Sequence, residues 1–157
     1  LAKKLNFGVN NVSEGVYKLI DVFIGLESSM VLKSVFGDSL KRVLSSTRVE
    51  VNHSNWMIWV NEGTVSVNID YLSKCDKATL YLDIVHELIH VKQFRSGLNL
   101  FDDRFTYVDS PTEIEAYKLT VNEARNIGLS CKEIKEYLKV DWITEDEHKR
   151  LVDSVMM

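Results

Sequence analysis

Proline is almost absent from this 157-residue chain, Pro111 being the only one. With no proline-rich linker, low-complexity run or internal repeat, the length suits one domain over residues 1–157 with a substantial core. Cysteine is equally scarce. Cys75 and Cys131 stand 56 residues apart with no CxxC spacing, which excludes a disulfide scaffold and a thiolate zinc site; both read as reduced, half-buried small residues. Positive charge never concentrates: 19 Lys and Arg face 23 Asp and Glu, for a net charge of −4. Nucleic acid is therefore not an expected partner, because phosphate binding needs a dense cationic face. No apolar stretch reaches membrane-spanning length, since Lys18 and Asp21 interrupt the early candidate. The start, LAKKLNFGVNN, lacks the apolar core of a signal peptide, so a cytoplasmic location is expected.

What is present is ordinary globular material, 45% hydrophobic and 27% charged. Val12, Val16, Leu19, Phe23 and Leu26 recur at three and four, which predicts an amphipathic helix from Asn11 to about Leu26. A second helical stretch covers about Ser29 to Leu44 with a break at Gly37-Asp38. TRVEVNH, WMIWV and TVSVNIDYL then read as strands, the last two joined by a hairpin turn at Asn61-Glu62-Gly63. A strongly apolar helix follows from Asp76 to about Ser96, with Gly97 where a left-handed terminal residue is wanted. Ser110 and Pro111 open another helix that ends near Gly128. SCKE and TEDE are capping boxes for short helices over about 131–139 and 145–155. Helices, a small antiparallel or mixed sheet, then helices make an α+β fold.

Within the apolar helix lies YLDIVHELIHVKQ. Residues four apart share a helix face with Cβ atoms about 5–6 Å apart, so His86 and His90 can converge on one metal ion. Glu87 is rotated by about 100° from His86 and is placed to reach a water beside that ion. On the wheel, Thr79, Asp83, His86, His90 and Gln93 share one polar strip, and apolar residues cover the rest. Two unpaired imidazoles in such a setting are costly, and a metal ion removes the cost. A shuffled chain of this composition carries HExxH roughly once in a hundred, so the motif draws its weight from this context.

A catalytic zinc takes three protein ligands and keeps one open position. His53 falls in the strand region and His148 in the solvated last helix, so the third ligand is expected to be a carboxylate of EIEAY. On the helical wheel Glu113 sits on the face with Tyr117, Thr120, Val121, Ala124 and Ile127, whereas Glu115 shares the solvent side with Lys118, Asn122 and Asn126. Glu113 is favoured as the ligand. Its competing role is to complete a capping box with Ser110.

HELIH followed 23 residues later by E-x-x-A resembles the glutamate-zincin class of metallopeptidases, which includes thermolysin-like enzymes. HELIHVKQ with SPTEIEAY is also similar to short zincin-like proteins carrying HExxHxxQ and PxExEAY. The likeness covers about residues 64–128. It implies a zincin-like domain and a peptide or protein substrate. It implies His86, His90 and Glu113 as zinc ligands and Glu87 as general base. It also implies that TVSVNIDYL is an edge strand to which substrate adds. One position departs from the thermolysin-like pattern: Tyr117 stands where an aspartate would orient a zinc histidine, leaving its hydroxyl or Asp83 to do so. Tyr107, Arg104 and Tyr117 are the candidates for stabilising an oxyanion. The expected function is zinc-dependent peptide hydrolysis. The alternatives are a zincin-fold regulatory or binding protein without catalysis, a peptidase activated by a partner, and hydrolysis of a non-peptide amide.

Overall fold

The computed structural model of the chain describes residues 5–157; the LAKK start lies outside them. The fold is α+β, but its N-terminal part differs from the periodicity. In place of one helix from Asn11 to Leu26 there are β2 (Gly15–Lys18), a single turn of helix α1 (Leu19–Val22) and β3 (Phe23–Ile24), which pairs with β1 (Gly8–Val9). Of the five spaced residues, Leu19, Phe23 and Leu26 are buried and Val12 is half-buried. Val16 instead points outward from β2 at 56% exposure. Strand pairing of β2 with β4 (Arg48–Asn52) outweighs helical continuation. A reversal at Gly25 (φ 96°) ends the possibility of a helix, and a Cβ there would lie 1.7 Å from the Asn6 carbonyl oxygen.

The next helices follow expectation, as α2 (Met30–Phe36) and α3 (Leu40–Ser46) separated by a 3-10 turn at Gly37–Ser39. The sheet holds a second difference. Its strand order is β2-β4-β6-β5, with β5 (Ile58–Asn61) and β6 (Thr64–Asn68) forming the expected hairpin. Glu62 and Gly63 both have positive φ, at 50° and 83°, the geometry of a tight type I′ turn. The chain from β4 passes beyond the sheet before returning, so β6 inserts beside β4 in parallel register, Val49 opposite Val65. The sheet is therefore mixed. The stretch TVSVNIDYL is not an edge: β6 is interior, the last residues of the stretch enter α4 (Ile69–Lys74), and the edges of the sheet are β2 and β5.

The long helix α5 (Lys77–Arg95) starts at Asp76, whose side chain accepts from the Thr79 amide at 3.1 Å. It is buried on nearly every side, with Leu80, Ile84, Val85, Leu88 and Val91 at 2% exposure or less. It lies between the sheet and α6 (Pro111–Asn126). Two capping boxes start α7 (Cys131–Tyr137) and α8 (Glu145–Met156) as the sequence predicts. Cys75 is half-buried, but Cys131, in the first turn of α7, is exposed rather than half-buried; both are free. Among the described residues, no helix is long and apolar enough to cross a membrane.

Candidate metal centre

Helices α5 and α6 pack side by side, which brings the polar strip of one against the first turn of the other. His86 and His90 direct their Nε2 atoms at Glu113, to Oε1 and Oε2 respectively, each at 3.1 Å. Their rings are nearly perpendicular, at 88°. Both histidines are 5% exposed, and the Glu113 side chain is 14% exposed toward a cleft. One donor atom from each residue lies within 4.8 Å of the others. A tetrahedral ion with bonds of about 2.0–2.1 Å spaces its donors by about 3.4 Å. Two imidazoles and a carboxylate at these separations fit such an ion with small adjustments.

Ser110 precedes α6 as its N-cap residue but makes no side-chain cap bond, its hydroxyl lying 3.0 Å from that of Thr112. The capping-box reading of Glu113 is therefore wrong. Its carboxylate turns to the histidines because that is where positive charge and N–H donors are found. Glu115 is exposed, as the wheel implies, but it is not idle: it accepts from Gln93 Nε2 at 2.9 Å.

Gln93, the last residue of HELIHVKQ, is a site residue to which the sequence assigns no role. Its Nε2 donates to both Glu115 and the Thr112 carbonyl (3.0 Å), which leaves Oε1 to face His90 Nδ1 at 2.6 Å. In the sequence it is marked by its place on the polar strip and as the glutamine of the HExxHxxQ pattern, with no role attached to it. For His86, the Tyr117 ring lies 4.2 Å away between centroids, and Thr120 Oγ1 is 3.4 Å from Nδ1. Neither of the two orienting groups expected from the sequence bonds the imidazoles. The Tyr117 hydroxyl pairs with that of Tyr107 at 2.6 Å, and Asp83 accepts from Tyr71 and Tyr137.

Glu87 is 7% exposed, lines the cleft, and its carboxylate makes no hydrogen bond among the described residues. Burial pushes it up to about 8, with His90 opposing. Burial likewise lowers His86 despite its bond to Glu113. His90 goes the other way: burial disfavours its charge, but the Glu113 bond and charge prevail and raise it to about 9. Glu113 is held well below the usual carboxylate range because the two imidazoles outweigh its burial. A carboxylate between two close imidazoles favours positive charge on them, while burial and their mutual repulsion oppose it.

The cleft has a volume of about 890 Å³. Its floor includes His86, Glu87, His90 and Glu113, and β5 contributes Ile58, Trp59 and Val60 to its wall. Tyr107 and Tyr117 also line it, and burial holds both phenols neutral. Arg104 does not reach it; its side chain is 78% exposed and bound to Asp102 at 2.7 Å. His53 pairs with Glu14 at the surface and His148 meets the Lys135 carbonyl, so neither approaches the centre. Comparison with protein-family models, curated proteins and solved structures finds no match to this chain.

Proposed function

We propose that this chain, as a single zincin-like domain, is a zinc-dependent metallopeptidase. The observation that carries the reading is the convergence of His86, His90 and Glu113 beside a buried, unpartnered Glu87 at the floor of an open cleft. Two imidazoles and one carboxylate are a catalytic zinc set, because they leave a fourth position free. A purely structural site has no use for Glu87.

Bound there, the ion would polarise the scissile carbonyl and lower the pKa of a neighbouring water to about 7. Glu87 takes the proton of the attacking water and passes it to the leaving amine nitrogen. Burial raises its pKa, and a cation held beside it would act in the opposite sense. Tyr107 or Tyr117, each a neutral O–H, supplies a donor to the oxyanion as it forms. The free edge of β5 offers unpaired backbone groups along which an extended peptide can lie as an added strand. That role passes to β5 from the β6 segment favoured by the sequence.

The test is Glu87→Gln, assayed for cleavage and for bound zinc together. Retained zinc with cleavage reduced by about 10²–10⁴-fold is expected. Full activity in that variant would overturn the assignment.

A further inference from the structure

The cleft is not neutral around its floor. Asp76, Glu133, Glu136 and Asp141 are exposed and line it, and Asp83 lies deeper. Among the described residues that line the cleft, Lys139 is the one Lys or Arg side chain. Asp102 also contributes to the wall but is already engaged by Arg104. The aromatic content is as uneven as the charge. All three tryptophans of the chain, Trp56, Trp59 and Trp142, line this cleft. They form two groups: Trp59 stands 6.5 Å from Trp56 and 5.9 Å from Phe101, and Trp142 packs edge-on against Tyr107 at 5.5 Å. Trp56, Phe101 and Trp142 remain 64%, 66% and 49% exposed, so their faces are only partly covered by the protein itself.

Exposed aromatic faces bury large apolar side chains and attract cations through the ring quadrupole. The carboxylates of Glu136 and Asp141, which have no ion-pair partner among the described residues, favour the same cations and repel acidic segments, with the capping carboxylates of Asp76 and Glu133 adding to the same charge. We infer that the cleft selects polypeptide segments in which Lys or Arg adjoins a large apolar side chain. This inference rests on the peptidase reading and names its substrate class. The apolar side chain seats among Trp56, Trp59 and Phe101 or against Trp142, and the flanking cation meets Glu133, Glu136 or Asp141. The whole chain's negative charge acts in the same sense at longer range.

The test uses the full chain with Glu87→Gln, loaded with zinc, so that binding is read without turnover. Tryptophan emission follows titration with three blocked alanine-based octapeptides whose centres are Lys-Phe-Lys, Glu-Phe-Glu or Lys-Ala-Lys. Tighter binding of Lys-Phe-Lys than of either other peptide, by about tenfold, is expected, and added salt should shrink its margin over Glu-Phe-Glu. Combining Glu136→Lys with Asp141→Lys, both exposed, should erase or invert the charge preference; retained helical signal in circular dichroism shows the variant is folded. Equal affinity for Lys-Phe-Lys and Glu-Phe-Glu, or a preference untouched by the charge reversal, overturns the inference. The parent protein separates the two claims. Selective binding without cleavage of Lys-Phe-Lys upholds the cleft chemistry and counts against the peptidase. Cleavage of all three peptides at similar rates does the reverse.

Discussion

Gln93 Oε1 lies 2.6 Å from His90 Nδ1, and this contact decides which nitrogen of the imidazole faces Glu113. The amide cannot be reversed, because its Nε2 already donates to two acceptors, the Thr112 carbonyl and Glu115. An amide oxygen only accepts, so Nδ1 carries a proton and Nε2 is the atom offered to a metal. The chain Glu115–Gln93–His90 thus ties the exposed side of α6 to the floor of the cleft.

Removing that support should weaken metal binding without abolishing it. Gln93→Ala is expected to lower zinc affinity by about 10–100-fold, measured by competition with a chelator of known affinity. Unchanged affinity would mean that packing alone orients His90.

The two glutamates of EIEAY should part company. Glu113→Gln is expected to lose stoichiometric zinc, because the amide replaces an anionic donor. Glu115→Gln should keep it, with a smaller loss transmitted through Gln93. Metal content of the two purified variants checks the assignment, and the reverse ranking would make Glu115 the ligand.

Stability should depend on a polar pair remote from the chemistry. Glu123 is 1% exposed and accepts from the Tyr81 hydroxyl at 2.5 Å, tying α6 to α5. Tyr81→Phe leaves Glu123 with Asn126 as its remaining side-chain partner. A loss of about 1–3 kcal/mol in denaturant unfolding is expected, with zinc stoichiometry intact.

Asp83 should impose a pH dependence of its own. Burial raises its pKa from 3.8 to about 6, although Tyr71 and Tyr137 donate to it. Between these values the folded chain holds a proton that the unfolded chain has released, so this group's contribution to stability falls as pH rises. The full cost, about 3 kcal/mol by the linkage relation, is in place above pH 6. In Asp83→Asn that contribution disappears. The stability difference, variant minus parent, should therefore grow in the variant's favour from pH 4 to pH 7 in urea titrations. A constant difference would show that Asp83 does not titrate in this range.

The His86-Glu87-His90 motif is legible in the sequence because four-residue spacing is a property of one helix. His86, Glu87 and His90 take their relative directions from 3.6 residues per turn alone, and so does the buried orientation of Glu113 on its own helix. Capping boxes at Ser130 and Thr144 and the Glu62-Gly63 turn are readable for the same local reason. Apolar spacing between Asn11 and Leu26 is a weaker guide. It marks Leu19, Phe23 and Leu26 as buried but not the element that buries them, and it misplaces Val16, which strand β2 turns outward.

Sequence alone therefore determines the donor types, their faces and the α+β class, each of which depends on neighbours a few residues apart. Tertiary packing decides the rest. That Glu113 meets both imidazoles rather than its own helix cap depends on how α5 and α6 lie together. That β5 rather than β6 forms an edge depends on β6 pairing in parallel with β4. The aromatic and acidic cleft collects residues from position 56 to position 142. Contacts over such separations carry no fixed period along the chain, so no local pattern announces them.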